Sequence, residues 1–286
     1  MVIDITDILY RNIKHAFFQP AENELVVLLH FRLRHPIMLG KKSVHDIQFY
    51  TEVAELSHTL IGQSKRSMFE DEFDEERQER EQRKRLNLMY QNFVKQVEET
   101  FNPTESKSTD STIEFDIPYR DLGFHGAPGR GRVFLQPTVN CLVQLIEPPY
   151  FILTLSDVEI VHFERIQFGL REFDMVFVFH DYSRPVEHIN SVPIEAKDSI
   201  QEWLDSCNIK FYSGPQNLNW KRIMQEVQKD PQAFFEGGGW DFLDMEKSDD
   251  EDGQGSGSSS EDDEGFDPEE DGVCFCDGLI RFTHWS

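Results

Sequence analysis

The residues that could carry covalent or metal chemistry here are ten histidines, four cysteines and one glycine-rich loop. None has the spacing such chemistry requires. His15, His30, His162 and His180 sit in apolar, β-rich runs, and no HExxH or matched Cys/His pattern surrounds them. They read as core or sheet-edge histidines rather than metal ligands. Cys274 and Cys276 form an isolated "CFC", two thiols where a structural zinc takes four ligands. "GFHGAPGRGRVF", with Gly126, Gly129 and Gly131, invites a phosphate-loop reading. It lacks the G-x-x-x-x-G-K-[ST] form, and a strand rather than a helix follows, leaving no helix N-terminus to receive an anion. A turn before a strand accounts for it, and Arg120, Arg130 and Arg132 read as solvated turn charges. No Ser/His/Asp order is recognisable. The chain therefore reads as a non-enzyme with no metal and no cofactor. The chemistry left over is non-covalent: "DPQAFFEGGGWDFLD", residues 230–244, sets Phe234, Phe235, Trp240 and Phe242 around three glycines and runs into an acidic tail.

The charge supports that emphasis. The 286 residues carry a net −25, which disfavours direct binding to nucleic acid and favours a basic partner. Residues 244–272 hold 14 Asp/Glu and one Lys, so 29 residues supply −13 of the total. "GQGSGSSS" interrupts the acids, and the composition is that of a disordered segment. Phe266 is its sole aromatic, in "EDDEGFDPEEDG". Solubility alone explains a polyanion; an aromatic anchor inside one adds a way to bind a basic protein, with the acids steering and the ring filling a pocket. The four cysteines are too few and too uneven for a secreted disulfide framework. No run of about 18 apolar residues suggests a membrane span. "QRKRL", with Arg83, Lys84 and Arg85, has the composition of a nuclear signal but lies in a predicted helix.

The elements that must position these residues fall into two β regions. "ELVVLLHFRLR", residues 24–34, reads as a buried strand, and "PIMLGKK" as a second, short one. Residues 70–99 contain no Gly or Pro, and Leu86, Met89, Phe93 and Val97 recur at helical spacing with Tyr90 and Val94 on the flank. "NPTESKSTDST", 102–112, reads as a linker. Strand-like runs fill 113–193, followed by "AKDSIQEWLDSC", in which Ile200, Trp203, Leu204 and Cys207 mark one helical face. That order suits a small barrel plugged by a C-terminal helix. "NIKHAFFQPAENELVVLLHF" and "EIVHFERIQFGLREFDMVFVFHDY" echo each other weakly, as a repeated β module would. In "NWKRIMQEVQK", Trp220, Ile223, Met224 and Val227 form one stripe. Asp230 can cap a second helix with Pro231 at its first position, and Gly237–Gly239 stop it. Twenty-five residues cannot bury all these rings internally, so some remain as an interaction patch.

These strings in this order, "NIKHAFFQP", "GKKSVHDIQFYTEV", "YRDLGFHGAP", "DVEIVHFERIQFGLREFDMVFVFHDYS", "IQEWLDSCNIKF" and "LNWKRIMQEVQKDPQAFFEGGGWDFL", with the acidic tail, resemble the large-subunit family of the FACT histone chaperone over residues 7–272. The resemblance implies an α+β fold of tandem pleckstrin-homology-like β-barrels, the first incomplete in residues 1–69, then a connecting helix at 70–101. It implies a second module at 113–212, a two-helix U-turn hairpin at 213–243 and a disordered acidic tail at 244–286. The family's aminopeptidase-like and heterodimerisation domains do not appear upstream. Expected partners are core histone dimers and nucleosomes, with DNA met only through nucleosomes, no membrane, and the small FACT subunit through a region outside this sequence. Nucleosome reorganisation in transcription, replication and repair, in the nucleus and on chromosomes, is the expected setting. Histone contact is expected at Leu218, Trp220, Ile223, Met224, Phe234, Phe235, Trp240 and Phe242, with Phe266 anchoring the tail. The last residues, "VCFCDGLIRFTHWS", depart from the family's acidic continuation and basic end. The alternative is a pleckstrin-like scaffold for a peptide or phosphoinositide, although −12 over residues 1–243 gives little of the basic mouth a lipid headgroup wants.

Overall fold

The apolar runs condense into three four-stranded sheets with few helices, an α+β architecture, in the computed structural model, which describes residues 8–22, 26–53, 68–101 and 113–244. The expected linker at 102–112, the acidic run from residue 245, Phe266 and the "CFC" pair lie outside the described residues. The first sheet has the order β3-β2-β1-β4, from β1 (Ile13–Gln19), β2 (Val26–Leu39), β3 (Lys42–Glu52) and β4 (Phe115–Asp116). "ELVVLLHFRLR" and "PIMLGKK", expected as two strands, are one 14-residue strand. Pro36 is tolerated because pairing with β1 ends at Leu33 and the register with β3 shifts between Arg32 and Ile37. The strand turns back at Gly40, in the left-handed region at φ +61°. His30 is buried and satisfied, with Nδ1 2.9 Å from Gln48 and Nε2 3.3 Å from Asp46, as expected for a core histidine.

Helix α1 (Met68–Phe101) covers one face of this sheet, but on a stripe rotated from the expected one. Leu86, Tyr90, Val94 and Val97 are buried, whereas Met89 and Phe93 are 54% and 47% exposed. The i, i+4 row with Tyr90 wins because its hydroxyl lies 2.6 Å from Thr51 Oγ1, fixing the helix rotation over β3. Ile113 and Phe115 join the same core, so the chain returns to the first sheet after residue 112.

The remaining strands form two sheets: β5 (Phe124–Gly126), β6 (Val133–Pro137), β7 (Cys141–Gln144) and β8 (Phe151–Thr154) in sequence order, and β9 (Val158–Glu164), β10 (Glu172–Phe179), β11 (Glu187–Pro193) and β12 (Lys210–Ser213) in the order β11-β10-β9-β12. Between them Phe124, Leu135, Leu153, Phe163, Phe173 and Phe177 pack with Trp203 and Leu204 of α2 (Lys197–Ser206). A bridge between Ala127 and Asn190 joins β5 to β11. Gly126 is required there, since a Cβ would stand 2.5 Å from Ile189 Cγ2. The glycine-rich loop is the β5–β6 turn, and Arg132 pairs with Glu172 at 3.0 Å.

The first and third sheets share one topology. Each has three antiparallel strands, a helix, then a strand returning parallel to the first: β4 beside β1, β12 beside β9. The weak echo in sequence falls on β1–β2 and β9–β10, the equivalent hairpins. Phe17 and Leu28 of the first sheet pack against Cys141, Val143 and Leu145. At the rim of that contact Lys14 Nζ donates to Thr154 Oγ1 and reaches Asp157, each at 3.2 Å. Burial pushes the Cys141 thiol up to about 12, with Asp116 adding to it, so this cysteine is a packing residue.

The rotation of α1 has a direct test. Leu86→Ala removes a buried side chain and is expected to cost about 2–5 kcal/mol, whereas Met89→Ala is expected to stay within about 0.5 kcal/mol. Urea unfolding of the two variants measures the contrast; equal losses would contradict the observed helix face.

Candidate functional site

Strands β9 and β10 read as nearly continuous apolar sequence, "EIVHFE" and "FDMVFVF", because both their faces are covered. Val161, Phe163, Met175 and Phe177 point into the core shared with α2. Ile160, Val176 and Val178 point the other way and are covered by residues 218–243. That segment holds α3 (Trp220–Lys229), α4 (Pro231–Glu236) and a 3-10 turn (Gly239–Leu243). Asn219 caps α3 by accepting from Arg222 N at 3.1 Å. Asp230 caps α4 by accepting from Ala233 N at 3.0 Å, with Pro231 first in the helix, as the sequence predicts. Gly238 and Gly239 take φ +107° and +57°, and a Cβ on Gly239 would stand 3.0 Å from the Phe235 ring. The glycines therefore let the turn fold back directly under that aromatic.

The expected contact residues divide into two sets. Trp220, Met224 and Trp240 are buried against β9 and β10, together with Val227 and Leu243. Leu218, Ile223 and Phe234 are half-buried at the edge of this cluster. Phe235 and Phe242 are 47% and 56% exposed. The outward rings are contiguous: Phe234 lies 5.3 Å from Phe235, 5.0 Å from Trp240 and 6.5 Å from Phe242 between ring centroids. Phe234 thus bridges the buried tryptophan and the two exposed phenylalanines.

Two carboxylates that the sequence reading did not single out hold this arrangement. Glu164 is buried and accepts from Trp220 Nε1 at 2.7 Å and from Leu218 N at 2.8 Å. Glu159 accepts from Trp240 Nε1 at 2.8 Å and from Tyr182 Oη at 2.6 Å. Burial, then the hydrogen bond to Glu159 and its charge, push the Tyr182 phenol well above its ordinary range, so it stays a donor. The available signal was an acid at either end of an apolar strand, which needs a donor wherever that strand is covered. His162, between them on β9, packs its ring 5.6 Å from Trp220, and its Nδ1 has no hydrogen-bond partner among the described residues. Burial pushes it down to about 4. Among the described residues no group of three or more His, Cys, Asp or Glu is placed to hold a metal ion, and no helix is long and apolar enough to cross a membrane.

Comparison with known proteins finds two family matches along the chain. Residues 3–97 match the family described as the FACT complex subunit SPT16 PH-like domain, and residues 126–213 match the histone chaperone Rttp106-like middle domain. A rice protein named FACT complex subunit SPT16 is 45% identical over 262 residues, 92% of this chain. The chain is similar, along nearly its whole length, to proteins named FACT complex subunit SPT16. The Caenorhabditis briggsae relative of that name is 46% identical over 93% of the chain, and the Dictyostelium discoideum relative 46% over 84%. The chain spans only 24% of the rice SPT16 and 22% of the Dictyostelium one. The SPT16 match ends at residue 97 and the middle-domain match at 213, so the aromatic face lies beyond both family matches.

The neutral His162 gives a pH prediction. Its folded pKa, about 4, lies below the unfolded value of about 6.5, so protonation favours the unfolded chain. The stability its burial permits is complete above pH about 6.5 and is lost as pH falls toward 4. In His162→Leu, denaturation midpoints are expected to fall less over that interval than in the unsubstituted chain. Parallel pH curves would show that His162 is not the group responsible.

Proposed function

We propose that this chain is a histone-chaperone segment that docks core histone dimers with its outer aromatic face and engages their basic surface with its acidic run. One observation carries the reading. After β9 and β10 have taken Trp220, Met224 and Trp240, the rings of Phe234, Phe235 and Phe242 remain contiguous at the surface, the last of them two residues before a segment of net −13 begins. Apolar rings desolvate well against a groove, and polyanionic sequence competes for cationic surface that would otherwise hold phosphates. The similarity to the SPT16 family and to a histone-chaperone middle domain supports the partner class. The division also refines the expected contact set. On this reading Phe235, Phe242, Phe234, Ile223 and Leu218 are the side chains a partner meets, whereas Trp220, Met224 and Trp240 hold the segment on the sheet.

Two measurements separate the aromatic and acidic contributions. Phe235→Ala with Phe242→Ala is expected to weaken dimer binding by about 1–3 kcal/mol in calorimetry, while thermal stability hardly moves. Replacing the acids of residues 261–271 by their amides is expected to lower affinity most at low salt and to flatten its salt dependence. Full affinity in both variants would overturn the proposal. In the tail, Phe266→Ala is expected to cost on the order of 1–3 kcal/mol if that ring anchors it.

A further inference from the structure

A groove of about 420 Å³ runs between α3 and the loop leaving β10. Trp220, Met224, Pro185, Val186, Gln225 and Gln228 are among its lining residues. Gln228 Nε2 donates to the Tyr182 carbonyl, tying helix to loop at one end. Among the described residues no Asp or Glu lines it, whereas Arg184, Lys221 and His188 do. Arg184 of the lining lies 3.6 Å over the Phe179 ring and 3.6 Å from Asp157. Lys221 pairs with no acid among the described residues. A lining that mixes apolar and cationic side chains suits an aromatic side chain embedded in acids.

The sequence contains one such segment close by. The chain leaves the described structure at Asp244, just after Trp240 and Leu243, which belong to the same packed cluster as Trp220 and Met224. Phe266 follows 22 residues later, flanked by Glu261–Glu264 on one side and Asp267–Asp271 on the other. A flexible coil of that length has a root-mean-square span of roughly 25 Å, and α3 is only about 15 Å long. A flexible tether of that length would give Phe266 an effective concentration at the groove on the order of millimolar.

We propose that residues 261–271 dock in cis on this groove, Phe266 seated over Met224 and Val186 and the flanking carboxylates on Arg184 and Lys221. The inference concerns the availability of the acidic run, at a groove separate from the outer aromatic face, and rests on reading that run as an interaction segment. Docking keeps the polyanion folded back on its own chain until a basic partner competes for it. Binding then becomes an exchange, and weakly cationic surfaces fail to release the segment.

The test is hydrogen exchange on the intact chain without histone. At low salt, Phe266→Ala and Lys221→Glu are each expected to speed exchange of the α3 and 183–188 amides several-fold over the unsubstituted chain, leaving β10 and α2 unchanged. High salt should bring the unsubstituted chain to the rates of the variants. Equal α3 exchange in all three chains at low salt would overturn the proposal. Protection that rises with protein concentration would also overturn it, by assigning the groove to the tail of a second copy. Histone affinity of the same variants separates the two readings: unchanged α3 exchange with weakened histone binding sinks cis docking and leaves the proposed function standing.

Discussion

The indole N–H groups of Trp220 and Trp240 each end on a carboxylate of strand β9, and the cover on the outer face of the third sheet hangs on those two hydrogen bonds. Each carboxylate has a second donor, Leu218 N for Glu164 and Tyr182 Oη for Glu159. A buried carboxylate is costly without donors, and a charge-assisted hydrogen bond contributes about 1.5–3 kcal/mol. The cost and its compensation are therefore coupled: β9 can be covered only by a segment that presents donors at these places. That requirement fixes the position of α3, and through the glycine turn it fixes which rings of residues 234–242 face solvent.

Much of this order was legible in sequence, and the exceptions share a cause. Helix caps and stops at Asp230, Pro231 and Gly237 are local, and they appear where their residue types put them. The α2 face of Ile200, Trp203 and Leu204 follows from spacing alone. Errors arose where a partner decides between near-equal options. Helix α1 has apolar residues on two adjacent rows, and only the Tyr90–Thr51 contact chooses between them. The β3 run "KSVHDIQFYTE" carries charged and polar residues that hid a strand, because they pair across to β2, as Asp46 does with Arg32 at 2.6 Å. Sequence leaves Trp220 and Trp240 between core and contact roles, and Glu164 and Glu159 opposite them decide for the core. Sequence patterns report amphipathicity well but do not report which donor meets which acceptor.

The repeated topology of the first and third sheets shows how one plan serves two roles. In the first, the crossover element is the 34-residue α1, which lies on the sheet and leaves Leu88, Met89 and Phe93 exposed. In the third, the crossover is the ten-residue α2, sunk into the core. The outer face of β9 and β10 is thereby left for a separate segment to cover. The first sheet turns its Phe17 and Leu28 side toward Cys141 and Val143 instead, and becomes support for the module that carries the aromatic face.

Strand β4 is two residues long, yet it decides when the first sheet can be finished. Phe115 and Asp116 pair with Ala16 and Phe17, about a hundred positions earlier in the chain. Asp116 also accepts hydrogen bonds from Thr138 and Asn140, which shape the turn into β7. A ribosome making this protein must therefore deliver the start of the second module before the edge of the first is closed. Until then β1 carries an open ladder of backbone donors and acceptors. The emerging chain has a sticky edge for the whole time that α1 is being synthesised, and its own later sequence acts as the stopper.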